Sequence, residues 1–161
     1  MRAHIRADGD KVPSYIRGQR ATKRIVRQFK TQKVRLILHT DGEISLGADK
    51  PLLLEPSKII ELKVLRRERQ IGSIKLIPRS KQKVYLADME IFEEERRKGY
   101  GRRAVNLLER TLALHGVEKI ELEDRTILDH EYKSFWKQIG YRRDKDDPAY
   151  LSKKILGGRK L

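Results

Sequence analysis

The residues best equipped for chemistry lie in one stretch, Met89 to Arg110, reading MEIFEEERRKGYGRRAVNLLER. An apolar run ends there, a basic turn holding Gly99 and Gly101 follows, and a helical pattern begins. Where a strand hands over to a helix, the first N–H groups of the helix lack intrahelical partners and point outward with the positive end of the macrodipole. Such a junction binds anions. Gly99 and Gly101 let a phosphate approach the backbone with no Cβ in the way, while Arg96, Arg97, Lys98, Arg102 and Arg103 add positive charge. A pyrophosphate suits this geometry. A tight turn with a solvated basic rim would use the same residues, so the surroundings must choose between the two.

Acids stand close by. Asp88 and Glu90 share one face of the strand that precedes the turn, and either can take an ammonium proton through water or pair with Lys and Arg of neighbouring strands. Glu121 and Glu123 share a face of the next strand, with Asp124 just beyond, and the same two readings apply. The chain has no cysteine, which excludes a disulfide framework, a thiolate zinc site and any acyl-cysteine step. His4, His39, His115 and His130 have no common spacing, so no metal site is expected. No serine-triad signature or P-loop lysine motif occurs.

The elements that must hold these residues follow from periodicity. After Pro13, residues Ser14 to Lys30 read as a helix with Ala21, Ile25 and Phe29 on one face and Arg17, Arg20, Lys23, Arg24 and Arg27 on the other. Residues 34–39 and 44–46 alternate around an Asp41-Gly42 turn as a β-hairpin. Residues 47–57, with Gly47, Pro51 and Pro56, form an irregular connection with an apolar plug at Leu52 to Leu54. Strands around Ile60–Val64, Ile74–Leu76 and Val84–Phe92 form an antiparallel meander. A helix then runs to about His115 with Gly116 as its C-cap residue. A strand at Val117–Leu122, a second helix at 129–139 stopped by Gly140, and a final hairpin turning at Asp146–Pro148 complete the pattern.

Arg96-Arg97-Lys98-Gly99-Tyr100-Gly101, set between strand and helix, resembles the R/Q-x-x-G-x-G/A signature of the GNAT acetyltransferase superfamily. Downstream, Asp129-His130-Glu131-Tyr132-Lys133-Ser134-Phe135-Trp136-Lys137-Gln138-Ile139-Gly140-Tyr141 resembles the second landmark of that family, N-x-x-A-x-x-[FL]-Y-x-x-x-G-F. The resemblance covers about residues 58–156, leaving 1–57 as an unmatched basic helix and hairpin region and 157–161 as a frayed tail. It implies an α+β fold with a mixed, mostly antiparallel sheet and helices packed on its faces, and acetyl-CoA as cosubstrate. Backbone groups around Met89, Glu90 and Ile91 would hold the pantetheine amides, and the amides of residues 97–102, from Arg97 through Lys98, Gly99, Tyr100 and Gly101 to Arg102, would hold the pyrophosphate. Asp129 and Trp136 join the cofactor contacts through the second landmark.

Two departures stand out. The tyrosine that the family often uses to protonate the departing thiolate is Trp136 here, and an indole N–H is no acid. A thiolate titrating near about 8.5 leaves without much help, so this slows transfer rather than forbids it. Tyr132 and Tyr141 are substitutes or ordinary packing residues. The glutamate that several members carry early on the strand before the signature is Tyr85 here, which leaves Asp88 and Glu90 as the bases offered.

Charge bears on the acceptor. The chain carries +15, of which the 11 basic residues and Asp8 and Asp10 in residues 1–35 supply +9. Such a field attracts polyanions, or belongs to a stability-driven surface of many ion pairs. The N-terminus has no apolar leader and no stretch spans a bilayer, so a soluble, cytoplasmic protein is expected. With residues 40–57 unsuited to the two helices that usually wall the acceptor site of the family, an open, basic approach suits a bulky anionic or RNA-associated acceptor. The resemblance thus implies an N-acetyltransferase using direct attack. The alternatives are a nucleic-acid-binding protein on a GNAT scaffold with little catalysis, and a small-metabolite N-acetyltransferase.

Overall fold

The structure, a computed structural model, describes residues 36–124 and 135–155. The helix expected at 14–30, residues 129–134 of the second helix and the tail therefore lie outside the described residues. Strand β1 (Leu36–Thr40) turns into β2 (Ile44–Ala48) at Asp41-Gly42, where Gly42 adopts φ +103°. The Asp41 carboxylate accepts the backbone N–H groups of Glu43 and Ile44, which closes the turn. Strands β3 (Ile60–Arg66), β4 (Arg69–Pro78) and β5 (Lys83–Ile91) continue the meander. A 3-10 turn at Glu93–Glu95 leads to helix α1 (Tyr100–Leu114), then β6 (Lys119–Glu123), a helical turn at 135–138, β7 (Arg142–Arg143) and β8 (Tyr150–Lys154).

These strands form one sheet in the order β1-β2-β3-β4-β5-β6-β8-β7, antiparallel throughout except between β5 and β6. The α+β architecture read from sequence is the one observed. Ala104, Val105, Leu107, Leu108 and Leu112 recur at helical spacing on α1 and bury into one core with Ile44, Leu46, Val64, Ile74 and Met89 of the sheet. Each buried Val, Leu, Ile or Met among them contributes roughly 1.5–3 kcal/mol. Gly116, at φ +86°, ends the helix: its N–H donates to Ala113 O and the Val117 N–H to Leu112 O. Between β2 and β3, residues 49–59 contain no helix. Leu52 is buried and Leu54 partly so, but Leu53 points outward, 64% exposed.

Two irregularities shape the site. Along β4 and β5 the register passes from Lys75↔Asp88 to Leu76↔Leu86, leaving Ala87 as an extra residue in β5. That bulge lets Val84 and Leu86 before it and Met89 and Ile91 after it all face the core. Tyr85 consequently shares the opposite face with Asp88 and Glu90; unbroken alternation would have set it with Met89.

The second irregularity is a divergence. Strands β5 and β6 pair only over Lys83↔Lys119, Val84↔Ile120 and Tyr85↔Glu121. Beyond that point β6 follows β8, with Glu123 opposite Tyr150, while β5 stays with β4. The β6-facing edge of residues 86–91 therefore meets no described strand, and a cleft opens there.

Candidate active site

The cleft leads directly to the basic turn. Helix α1 starts at Tyr100 behind Gly99, an N-cap residue at φ +79° and ψ +9° that supplies no side-chain cap, and its first turn contains no acid. Nothing therefore neutralises the positive end of the helix from within its first turn. Arg97 is also left-handed, at φ +66°, so residues 97–99 curl their backbone as anion-binding nests do. A Cβ built on Gly99 would meet nothing within 4 Å, so the space in front of it is open to a ligand. Diverging strands followed by a helix start with no acid in its first turn fit an extended amide-bearing arm ending in a pyrophosphate, which is the shape of coenzyme A.

The signature side chains divide by role. Arg96 is turned inward: its Nε donates to Ile91 O at 2.7 Å and its guanidinium lies 3.8 Å from the Glu90 carboxylate. It ties the turn to the strand rather than reaching outward. Glu95 is buried and bonded by Arg69 and by Lys98 Nζ at 3.3 Å, which braces the turn from below. Arg103 bonds Asp41 through Nε at 2.9 Å and Glu43 through Nη1 at 2.9 Å, fastening α1 to the β1–β2 hairpin. The Arg103 guanidinium and the two backbone N–H groups hold the Asp41 carboxyl down to about 2. Arg102 is exposed and bonds Gln138 at 3.1 Å. Met89 and Ile91 bury their side chains in the core, so only their backbones can face the cleft.

Where β5 and β6 part, one sheet face gathers Tyr85, Glu121, Glu123 and Tyr150. The Arg79 guanidinium covers the Tyr85 ring at 4.6 Å and Tyr150 meets it edge-on at 5.9 Å. Burial, with the Glu123 carboxylate near, pushes the Tyr85 phenol above its ordinary value and keeps it protonated at neutral pH. Glu121 is buried and lies 3.7 Å from Arg79 and 3.8 Å from Lys83. Glu123 is half-buried, two residues past the last parallel pair. Among the described residues no group of three His, Cys, Asp or Glu could hold a metal ion. No described helix is long and apolar enough to cross a membrane.

The family model for acetyltransferases of the GNAT family matches residues 18–141, most of the chain. The chain belongs to the GNAT acetyltransferase family. The match begins 40 residues upstream of residue 58, where the resemblance in motifs begins. Similar solved structures include the PaiA N-acetyltransferase from Thermoplasma acidophilum in complex with coenzyme A, 19% identical over 60% of this chain and 61% of that one, with a TM-score of 0.50. The ribosomal-protein-S18-alanine N-acetyltransferase from Escherichia coli is 14% identical over 66% and 76%, TM-score 0.51. Ard1 from Thermoplasma volcanium is 17% identical over 60% and 70%, TM-score 0.51. At these identities the likeness is one of fold. Among curated proteins none matches the chain.

Within this GNAT fold, Trp136 lies in the helical turn at 135–138, fully buried, with its ring meeting Phe135 at 5.1 Å and Tyr141 at 4.9 Å edge-on. Tyr141 is buried too, donates to Glu109 at 3.0 Å, and has its phenol pushed well up by burial beside that carboxylate. Neither ring faces the cleft as a proton donor. Asp129 and Tyr132 lie outside the described residues. Sequence reasoning did not single out Glu95, whose buried pairing with Arg69 no local pattern shows, or Arg79 and Tyr150, which strand pairing brings to Tyr85.

Proposed function

We propose that the chain is an N-acetyltransferase that passes acetyl from acetyl-CoA to an amine by direct attack. The observation that carries this reading is the cleft between β5 and β6 running into a helix start at Gly99 whose first turn holds no acid. Residues 97–102 would hold the pyrophosphate and the backbone of 86–91 the pantetheine. The cosubstrate supplies an acetyl thioester. The chain supplies a backbone N–H beside the thioester carbonyl as oxyanion donor, and a carboxylate to take the ammonium proton.

Glu123 is the acid we assign to that proton. Glu123 lies two residues past the last pair of β5 with β6, opposite Tyr150 and on the face that carries Tyr85. Asp88, opposite Lys75 on the same face as Glu90, is the alternate. The acceptor side, with no helix in 49–59, suits an amine carried on a bulky, anionic or RNA-associated molecule. Transfer onto RNA, peptides and small amines, followed by thiol release from acetyl-CoA, tests the proposal. Glu123→Gln should lower turnover about 100-fold or more and leave coenzyme binding intact.

A second reading, a nucleic-acid-binding protein on this scaffold with little catalysis, is favoured by the buried Trp136 at the position of the family tyrosine. Coenzyme binding and salt-sensitive RNA binding with transfer to none of these acceptors would establish it.

A further inference from the structure

Two cations share one carboxylate where β5 and β6 begin to part. Arg79 follows β4 and Lys83 opens β5, and the Arg79 N–H donates to Lys83 O at 2.8 Å, fixing the turn between them. Glu121, partner of Tyr85 in the last parallel pair, lies buried 3.7 Å from Arg79 and 3.8 Å from Lys83. Both distances exceed a hydrogen bond, and neither cation pairs with another carboxylate among the described residues. One positive charge of the two is therefore left over. The side chains of Arg79 and Lys83 are 41% and 42% exposed, which presents that surplus to solvent.

Arg79 is also oriented. Its guanidinium lies 4.6 Å over the Tyr85 ring, and Tyr150 meets that ring edge-on. A guanidinium laid on an aromatic face keeps its edge N–H groups for two parallel bonds to a carboxylate or phosphate. The phosphates of the cosubstrate are assigned to the turn at Gly99, beyond the other end of β5, and the six steps from Tyr85 to Ile91 alone span about 20 Å. The surplus charge thus falls to the other substrate. Glu123, the acid assigned to the ammonium proton, stands two residues along β6 from Glu121, a separation of about 7 Å. Along one strand, then, a carboxylate suited to an amine is followed by a guanidinium suited to an anion.

We propose that Arg79, laid flat by Tyr85 and supported by Lys83, binds a carboxylate or phosphate of the acceptor, which is an amine carrying that group about 7 Å from its nitrogen. The inference rests on the acetyl-transfer reading and narrows its acceptor: the anionic group is read beside the reacting amine, and plain alkylamines are poor substrates.

Three probes of similar length test this on the full chain with coenzyme A added, which carries no acetyl group to transfer: 5-aminopentanoate, 3-aminopropyl phosphate and pentylamine. Binding is followed by nuclear magnetic resonance at the Arg79 Nε–H signal, identified by its loss in Arg79→Gln. At least one anionic probe should shift that signal and saturate at a Kd about tenfold or more below that of pentylamine, and the tighter of the two names the group. Arg79→Gln should weaken that probe about tenfold, Lys83→Gln less, and neither should change binding of coenzyme A. Equal affinity for all three probes, no binding of either anionic probe, or undiminished binding in Arg79→Gln would each overturn the proposal. Thiol release from acetyl-CoA separates the two readings. Equal kcat/KM for pentylamine and the anionic probes overturns the role of Arg79 and leaves acetyl transfer standing, whereas release with no amine at all overturns acetyl transfer and, with it, the acceptor role of Arg79.

Discussion

Arg96 offers the sharpest test of how the turn before α1 is built. If the first signature residue reached out to a phosphate, Lys would serve nearly as well, because a point charge also binds phosphate. The structure turns it inward, with Nε donating to Ile91 O at 2.7 Å and the residue 8% exposed. Arg96→Lys keeps the charge near Glu90 but loses that fixed hydrogen bond, with little water to replace it. A hydrogen bond from a charged group is worth about 1.5–3 kcal/mol. For a domain of this size each kcal/mol moves the melting temperature by about 2–4 °C, so Arg96→Lys should lower it by roughly 3–12 °C. Thermal unfolding followed by circular dichroism, without ligand, measures this directly. A midpoint within about 2 °C of the parent, as expected for an exposed substitution, would refute the inward tie.

Acetyl-CoA should raise the melting temperature of the parent, and Gly99→Val with Gly101→Val should abolish that rise by placing side chains where phosphates must sit; an unchanged rise would remove the pyrophosphate assignment. Gly72→Ala should destabilise by about 1–3 kcal/mol in chemical unfolding, because its Cβ would stand 2.3 Å from Glu90 O and push β4 away from β5. Asp41 has its carboxyl lowered from 3.8 to about 2, so the stability it contributes is whole above the ordinary carboxylate range and lost as pH falls through about 2. Asp41→Asn should therefore flatten the fall in stability between about pH 4 and 2, measured by urea unfolding across that window.

Local rules carried the sequence reading a long way. Alternation located β1 to β6, the Asp41-Gly42 turn and the Gly116 stop were each legible from one or two residues, and the strand-glycine-helix order located the turn proposed to hold the pyrophosphate. What escaped was register. Nothing about Ala87 marks it as the extra residue of a bulge, since neither glycine nor proline is needed there, yet that residue moves Tyr85 onto the face of Asp88 and Glu90. Charge was equally opaque: of five basic residues around the turn, Arg96, Lys98 and Arg103 are engaged by Glu90, Glu95, Asp41 and Glu43, partners as much as 62 positions away. A sequence shows that a guanidinium is present but not which carboxylate the fold brings to it.

The brief parallel pairing of β5 with β6 also orders events in time. Strands β1 to β5 are joined by tight turns and one short connection, so each closes on the strand made just before it and loses little loop entropy. The first contact between β5 and β6 spans 36 positions, Lys83 to Lys119, and needs α1 as its crossover. Only three register pairs then reward that closure. On a ribosome the five-strand ribbon would emerge and zip first, with the cleft between β5 and β6 among the last features to form. Pulse-labelled hydrogen exchange should show amides of β3 and β4 protected ahead of those of β6, and simultaneous protection would contradict this order. A protein organised in this way can assemble most of its core before the groove proposed for its cosubstrate exists.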